Sequence, residues 1–278
     1  MNITLWGVRG SIPTTSPDTK EYGGNTSCVE VDAEGWLLVL DAGSGIQGLN
    51  RSLNVKNRRI DILLTHLHMD HIQGLGFFAP LFNPATEIHI WGPAGNTQSL
   101  RARLGRYFSP PLFPVYFRNL NCKLILHEIE KSSFTIGPFT IQSDYVIHPG
   151  PTVGFRIQHQ HGVFTYIPDH EFALGCNVNK LKDVRWLSGS ELASGADILM
   201  HDAQYTVEEY QTRQGWGHSS MEDTIQFARL NEVKQLLLTH HDPMHSDEQL
   251  RLMQNQLKEK FKAKVAFDMA VEGSTIEL

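Results

Sequence analysis

The feature that most constrains the fold is the pattern His66-x-His68-x-Asp70-His71, which directly follows the apolar run at residues 60–64. A short apolar run of this kind predicts a buried strand, so the polar residues fall in the loop at its carboxyl end. Imidazoles and a carboxylate gathered in one such loop indicate that they share a ligand.

The spacing of these residues points to metal ions. Alternate residues of an extended segment point the same way, so His66 and His68 can reach one ion together as neutral imidazoles. Asp70 and His71 follow on the turn and can hold a second ion close to the first. Two neighbouring cations can stabilise both the attacking and the leaving oxygen of a hydrolysed ester. The other interpretation is a polar loop in which Asp70 caps a helix, which a lone histidine would favour and this cluster does not.

The same pattern resembles the signature of the metallo-β-lactamase superfamily of binuclear metallohydrolases, and the resemblance covers nearly the whole chain. It implies a four-layer αββα sandwich of the α+β class. The chain agrees with that fold, since strand blocks with helices in each half predict two sheets packed face to face. No linker, repeat or low-complexity segment divides the sequence, so we expect a single domain over residues 1–278.

The resemblance also implies further ligands at later strand ends. His148 precedes Pro149 at the end of a predicted strand, Asp169 follows another, and His240 ends the last core strand. The implied ligand sets share one aspartate: His66, His68 and His148 for one metal, Asp70, His71 and His240 for the other, and Asp169 between them. Zinc suits imidazole and carboxylate ligands, and manganese or iron accepts the same set. We therefore expect two zinc ions and a water between them that becomes the nucleophile.

Several polar residues beside these ligands have less certain roles. Asp41 matches a superfamily aspartate that supports the metal-binding loop, and the alternative is that it caps the following helix. His170 stands where many relatives have threonine, which leaves its role open. His241 follows His240 directly and is expected to face the other way, because successive strand residues diverge.

A second pair of motifs bears on the reaction. The segments around Asp202 and His218 resemble paired motifs of ribonuclease Z and related phosphodiesterases, in which an acidic residue orients a histidine that contacts the phosphate or protonates the leaving oxygen. A carboxylate that holds an imidazole raises its basicity and fixes its tautomer. The other interpretation is a helix-capping loop with a chance histidine. We predict that Asp70, Asp202 and His218 take part in catalysis.

The predicted substrate is a small phosphodiester, such as a cyclic nucleotide or a short nucleotide diester. Three features argue against ribonuclease Z itself: the long substrate-gripping arm has no counterpart, the chain is acidic, and one hairpin fills the segment between His148 and Asp169. A nuclease acting on RNA 3′ ends is the nearest alternative. A carboxylic ester, lactone or thioester hydrolase could use the same metals without His218, and a degenerate metal-binding scaffold ranks last.

Two segments are candidates for substrate contact. The predicted helix at 97–108 carries Arg101, Arg103 and Arg106, of which Arg106 is our candidate for an anionic substrate. Charges on an exposed helix are more often simply solvated. The proline-stiffened loop at 109–115 contains Phe113 as a candidate pocket wall, with a plain connecting loop as the alternative.

Composition limits the partners. The chain has 278 residues and a net charge of −6, which gives no basic surface for a long nucleic acid. No segment has the roughly 20 apolar residues of a membrane span, and the start lacks a signal peptide, so we expect a cytoplasmic protein. The cysteines Cys28, Cys122 and Cys176 are widely spaced and predict reduced thiols rather than a disulfide or metal site. The resemblance allows a homodimer.

Overall fold

The computed structural model describes residues 1–53, 59–174, 184–261 and 265–278, and the strands in these ranges form two β-sheets. The first sheet contains β1 (Asn2–Gly7), β2 (Cys28–Ala33), β3 (Trp36–Leu40), β4 (Arg59–Leu63), β5 (Glu87–Pro93) and β6 (Lys123–Ile129). The second contains β7 (Ser132–Ile136), β8 (Phe139–Tyr145), β9 (Val153–His159), β10 (Gly162–Ile167), β11 (Ile198–Asp202), β12 (Gln235–Thr239) and β13 (Ala266–Met269). A last strand, β14 (Thr275–Glu277), joins the first sheet beside β1.

Each sheet is antiparallel over one half and parallel over the other. In the first sheet, β14 and β1 to β3 pair antiparallel, and β3 to β6 pair parallel. In the second, β7 to β10 pair antiparallel and β10 to β13 parallel. A hydrogen bond from the Val153 N–H to the Thr65 carbonyl (2.9 Å) joins the two sheets where β4 ends. The loops that carry the polar motifs therefore meet at one end of the sandwich.

Helices cover the outer face of each sheet. They are α1 (Ile46–Ser52), α2 (Met69–Ile72), α3 (Leu100–Tyr107), α4 (Ser190–Ala193), α5 (Val207–Gln211), α6 (Met221–Leu230) and α7 (Asp247–Lys260). Leu49 and Leu104 pack with the first sheet, whereas Ile225 and Leu250 pack with the second. The predicted α+β fold, a four-layer αββα sandwich, is confirmed. Among the described residues, none of these helices has both the length and the apolar character to cross a membrane.

Strand β3 illustrates why the sequence builds these layers. Leu38 and Leu40 belong to the core between the sheets, which also holds Phe155 and Phe164 of the second sheet. Leu37 and Val39 belong to the core under the helices. Successive side chains of a strand point to opposite faces, so a strand covered on both sides needs an unbroken apolar run.

One predicted element is wrong. The sequence after the ligand loop predicts a helix over residues 74–81, but this segment forms two short 3₁₀ turns, Leu75–Phe77 and Ala79–Phe82. Pro80 has no N–H to donate, which prevents a continuous helix here. A Cβ atom at Gly76 would lie 2.5 Å from the Phe113 ring, so this turn requires glycine for close packing.

Two of the three cysteines lie in the described part of the chain. Cys28 and Cys122 are buried and free, and burial raises the pKa of the Cys122 thiol to about 11. Cys176 lies outside the described residues. The sequence also predicts a closing strand over residues 264–267, and β13 forms there, with residue 264 outside the described residues.

Arg9 joins two chain segments at the end of the sandwich that carries the polar motifs. Its side chain is fully buried and donates to the carbonyls of Gly23 (2.7 Å), Asp242 (3.1 Å) and His245 (2.7 Å). The Asp247 carboxylate lies 3.6 Å away and balances the charge. The chain segments after β1 and β12 are therefore held together by one guanidinium.

Replacing Arg9 by methionine should lower the free energy of unfolding by about 3 kcal/mol, because buried carbonyls lose their partner. Urea unfolding would measure this. Arg251→Met is the matched control, since Arg251 pairs with Glu21 on the exposed surface and such pairs contribute at most about 1 kcal/mol. Equal losses in the two variants would contradict the role given to Arg9.

Candidate active site

The loop after β4 carries the side chains of His66 and His68 just before α2 begins. His68 is the N-cap residue of α2 and has an extended backbone, with ψ near 154°. His66 precedes it in the same extended segment, whereas Asp70 and His71 lie in the first turn of the helix. The short helix thus turns the second pair of side chains away from the direction of the first.

The first ligand group consists of three histidines. Nitrogen atoms of His66, His68 and His148 all lie within 4.8 Å of one another. The Nδ1 atom of His68 and the Nε2 atom of His148 are 3.1 Å apart. Two loops from different sheets therefore direct three imidazoles at one point.

The second ligand group is fully enclosed. It comprises Asp70, His71, Asp169 and His240, again within 4.8 Å of one another and all buried. Asp169 Oδ1 lies 3.0 Å from His71 Nε2 and 3.3 Å from His240 Nδ1. Its other oxygen, Oδ2, lies 3.7 Å from the Nε2 atom of His66. Asp169 thus faces both groups, one oxygen to each.

The unpaired atoms of these groups test whether cations fit here. The buried atoms His66 Nε2, His71 Nε2, Asp169 Oδ1 and His240 Nδ1 have no hydrogen-bond partner among the described residues. Buried polar atoms without partners are costly and rare. All four atoms are metal-ligand types and converge on the same region, so the residues present fit a divalent metal centre.

Asp41 fixes the orientation of two of the histidines. Its carboxylate accepts from His71 Nδ1–H (2.8 Å), from the Thr65 hydroxyl (2.9 Å) and from the Tyr166 hydroxyl (3.0 Å). The Thr65 oxygen in turn accepts from His66 Nδ1–H at 3.1 Å. Both rings are then left with the Nε2 lone pair for a metal, which is the usual role of such outer partners.

The loop after β1 closes the second group from the side. The Ser11 N–H donates to Asp70 Oδ2 at 2.9 Å. A Cβ atom at Gly10 would come within 2.3 Å of the His240 ring, so only glycine allows this approach. Three residues near this group have positive φ: Ser11 (61°), Asp41 (57°) and His240 (62°). This backbone conformation is unfavourable for residues other than glycine.

Burial and neighbouring charge set the protonation of these groups. Burial lowers the pKa of His240 to about 3 and holds that of His66 well below its usual value. Burial opposes ionisation of Asp70, but the adjacent His71 lowers its pKa to about 2. Burial opposes the charged form of His71, but the carboxylates of Asp169, Asp70 and Asp41 hold its pKa well above the usual value. Neutral histidines and ionised carboxylates are the forms that bind a cation, so a metal here would displace the proton of His71.

His218 lies beside both ligand groups. Its ring centroid is 5.1 Å from that of His148 and 4.8 Å from that of His240. Its Nδ1 atom is 2.7 Å from Asp202 Oδ2. Burial alone would lower the pKa of His218, but the Asp202 carboxylate raises it to about 9. The Asp202 carboxylate therefore favours the protonated form of the ring.

Glu171 is a residue of the site that the sequence did not reveal. Its buried carboxylate accepts from the N–H groups of Gly215 and Gly217, both at 2.7 Å, and from the Tyr210 hydroxyl at 2.9 Å. The Gly217 carbonyl accepts from His148 Nδ1–H at 2.8 Å. Glu171 thus ties the loop that carries His218 to the chain just after Asp169. The sequence offers one signal for it, an acidic residue two positions beyond the predicted ligand Asp169.

The two histidines of unknown role now have partners. The His170 N–H donates to Asp202 Oδ2 at 3.0 Å, and its ring contacts the His201 ring at 3.0 Å. His201 Nδ1–H donates to the Asp202 carbonyl, so His170 is the donor of the pair. His241 turns away from the ligand groups and donates to the Ala270 carbonyl.

The two predicted substrate contacts differ in position. A cavity of about 320 Å³ lies beside His66 and His68, and Arg106 lines it together with Leu112. Phe113 is not among the residues that line this cavity. It is buried and packs against the ring of Tyr107, a residue of the cavity wall. Phe113 thus lies behind the wall.

Comparisons with known proteins agree with the fold and the motifs. A family model described as "Beta-lactamase superfamily domain" matches residues 36–241. A ribonuclease Z from Prochlorococcus marinus subsp. pastoris is 27% identical, with 94% of this chain and 95% of the relative aligned. The short form of human tRNase Z has a TM-score of 0.69 at 22% identity, covering 100% of this chain and 99% of that one. A diphosphatase of the PhnP family has a TM-score of 0.71 at 19% identity, covering 100% and 97%.

Asp41→Asn should weaken metal binding about 10- to 100-fold, because the amide cannot accept from His71, Thr65 and Tyr166 as the carboxylate does. Competition with a chelator would measure the affinity. The matched control is Asp61→Asn, which alters another fully buried aspartate, bonded to Arg59 and Trp91. Unchanged metal affinity in Asp41→Asn would contradict the role given to Asp41.

Proposed function

Because the chain belongs to the beta-lactamase superfamily, we propose that this metal-dependent hydrolase is a phosphodiesterase that acts on a small phosphodiester. The observation that carries the proposal is the hydrogen-bonded pair of Asp202 and His218 beside the two ligand groups. Hydrolysis of a phosphodiester needs a proton for the leaving oxygen, and this pair can supply one.

The ligand groups would hold two metal ions. We propose His66, His68 and His148 for one site, and Asp70, His71 and His240 for the other, with Asp169 shared. Two zinc ions are the proposed complement, and manganese or iron would accept the same ligands. Bound ions would supply an activated water and neutralise negative charge on the phosphate.

His218 would act as the general acid. Its Nδ1 atom is engaged by Asp202, so Nε2 is the nitrogen available to a substrate. Asp202 is itself held by the N–H groups of His170 (3.0 Å), Gln204 (3.1 Å) and Ser219 (3.2 Å). These bonds fix the carboxylate, which fixes the imidazole ring. The proton on Nε2 would pass to the leaving oxygen as its bond to phosphorus breaks.

Processing of RNA 3′ ends is the second candidate, and the similarity to ribonuclease Z relatives favours it. The net charge of −6 argues for a smaller substrate, because long nucleic acids bind basic surfaces. The segment between His148 and Asp169 is occupied by the β9–β10 hairpin. We therefore keep a small diester as the primary proposal, for a cytoplasmic enzyme in which residues 1–278 act as one domain and can pair as a homodimer.

We expect protein loaded with zinc or manganese to hydrolyse bis(p-nitrophenyl) phosphate, and Asp70→Ala to lose this activity because the second ligand group loses a member. Release of p-nitrophenolate would be followed, with metal content measured in both proteins. Fully metallated protein without turnover would contradict the phosphodiesterase proposal. It would move the assignment to carboxylic esters, lactones or thioesters.

His218→Ala should lower phosphodiester turnover about 100-fold with metal content unchanged, and the loss should be larger for an alkyl leaving group than for p-nitrophenolate, which needs less protonation. The wild-type rate should fall on the alkaline side as His218 loses its proton, and this limb should be absent from the variant. His161→Ala, at the exposed tip of the β9–β10 hairpin, is the control. An equal loss for both leaving groups would contradict the general-acid role.

A further inference from the structure

The cavity beside the first ligand group has a mixed lining. Met69, Ile72 and Leu112 give it an apolar wall, and α3 contributes Arg103 and Arg106. Its volume of about 320 Å³ is at the lower end of the range for small-molecule pockets. His66 and His68 also line this cavity. One substrate molecule could therefore place a phosphate at the metal ligands and another part of itself in the cavity.

Helix α3 directs two of its arginines to this cavity and one elsewhere. Arg103 and Arg106 are three residues apart, so they share one face of the helix. Arg101 instead lies over the ring of Phe117, with its guanidinium carbon 5.4 Å from the ring centroid. The positive charge of the cavity therefore comes from selected positions of the helix.

The two cavity arginines are differently held. Arg103 donates to the Pro93 carbonyl, and its buried Nε has no hydrogen-bond partner among the described residues. Glu128 is the acidic group that acts on Arg103, but its carboxylate also accepts from the Leu100 N–H at the start of α3. Arg106 is exposed and forms no ion pair with a described carboxylate. The fixed guanidinium of Arg103 and the unpaired guanidinium of Arg106 thus line the same cavity.

This charge exceeds what a single phosphodiester would require. A phosphodiester has one negative charge, which metal ions in the ligand groups would already neutralise. Arginine in a partly apolar cavity binds phosphate by charge-assisted hydrogen bonds, often through two nitrogens at once. The arginines are therefore suited to a second anionic group, with an apolar segment between it and the reacting phosphate.

We propose that the cavity lined by Arg103 and Arg106, here called the arginine pocket, binds a second phosphate carried on one ester arm of the substrate. The sugar or base between the two phosphates packs on the apolar wall. The inference rests on the proposed phosphodiesterase function and narrows its substrate class to diesters that bear a further phosphate. Two sources have this chemistry: a terminal phosphate monoester and the next diester link of a short oligonucleotide.

The test compares thymidine 5′-(p-nitrophenyl phosphate) with the same compound phosphorylated at the 3′ oxygen, using metal-loaded protein. The added phosphate should lower KM about tenfold, and Arg106→Ala should reduce this preference to about one. Arg101→Ala, on the same helix but outside the pocket, should keep the preference. No preference in the wild-type protein, or an equal preference in Arg106→Ala, would overturn the proposal.

Binding measurements separate this inference from the proposed function. If neither compound is hydrolysed, calorimetry with thymidine 3′,5′-bisphosphate and thymidine 5′-monophosphate tests the pocket alone. Tighter binding of the bisphosphate, lost in Arg106→Ala, supports the pocket, and equal binding overturns it. A preference shared by a thymidine dinucleotide with an internal diester assigns the second phosphate to an oligonucleotide, and a preference confined to the monoester assigns it to a nucleotide.

Discussion

The carboxylate of Asp41 is the contact on which the arrangement of the candidate metal centre depends. It follows β3 of the first sheet and accepts from Tyr166 of β10 in the second sheet, so one buried group links both sheets. Through His71 and Thr65 it also orients rings of both ligand groups. A carboxylate buried this deeply is stable only with several donors, and three side-chain hydroxyl or imidazole groups provide them. The same carboxylate therefore contributes both to the packing of the sheets and to the alignment of the ligands.

The centre lies on the seam between the sheets. His66, His68, Asp70 and His71 come from the loop after β4, whereas His148, Asp169 and His240 follow strands of the second sheet. Arg9 and Glu171 hold the loops around this seam by hydrogen bonds to backbone groups, and neither belongs to a ligand group. Such residues act by limiting where the loops can go, which is why a catalytic motif does not identify them.

The sequence predicted the parts of the molecule that depend on short-range pattern. The apolar run before His66 is such a pattern, and it forms the buried strand β4 as predicted. The helix predicted at 74–81 is interrupted by Pro80, which is a local signal, and its first turn also depends on the long-range contact of Gly76 with Phe113. Glu171 and the pairing of His170 with His201 were missed because they depend on long-range contacts alone. The place of Arg106 beside the ligand groups depends on how α3 packs, which one sequence cannot specify.

The left-handed backbone at Asp41 and His240 has a consequence for how this protein could be altered. A glycine would adopt these φ values with less strain, so substitution there would relax the backbone while removing a side chain from the centre. At Asp41 the lost hydrogen bonds from His71, Thr65 and Tyr166 would outweigh this gain. At His240, whose Nδ1 atom has no hydrogen-bond partner among the described residues, screening for stability in the absence of metal would select against the ligand. At these positions the backbone adopts an unfavourable conformation, and the free energy of metal binding can compensate for its cost.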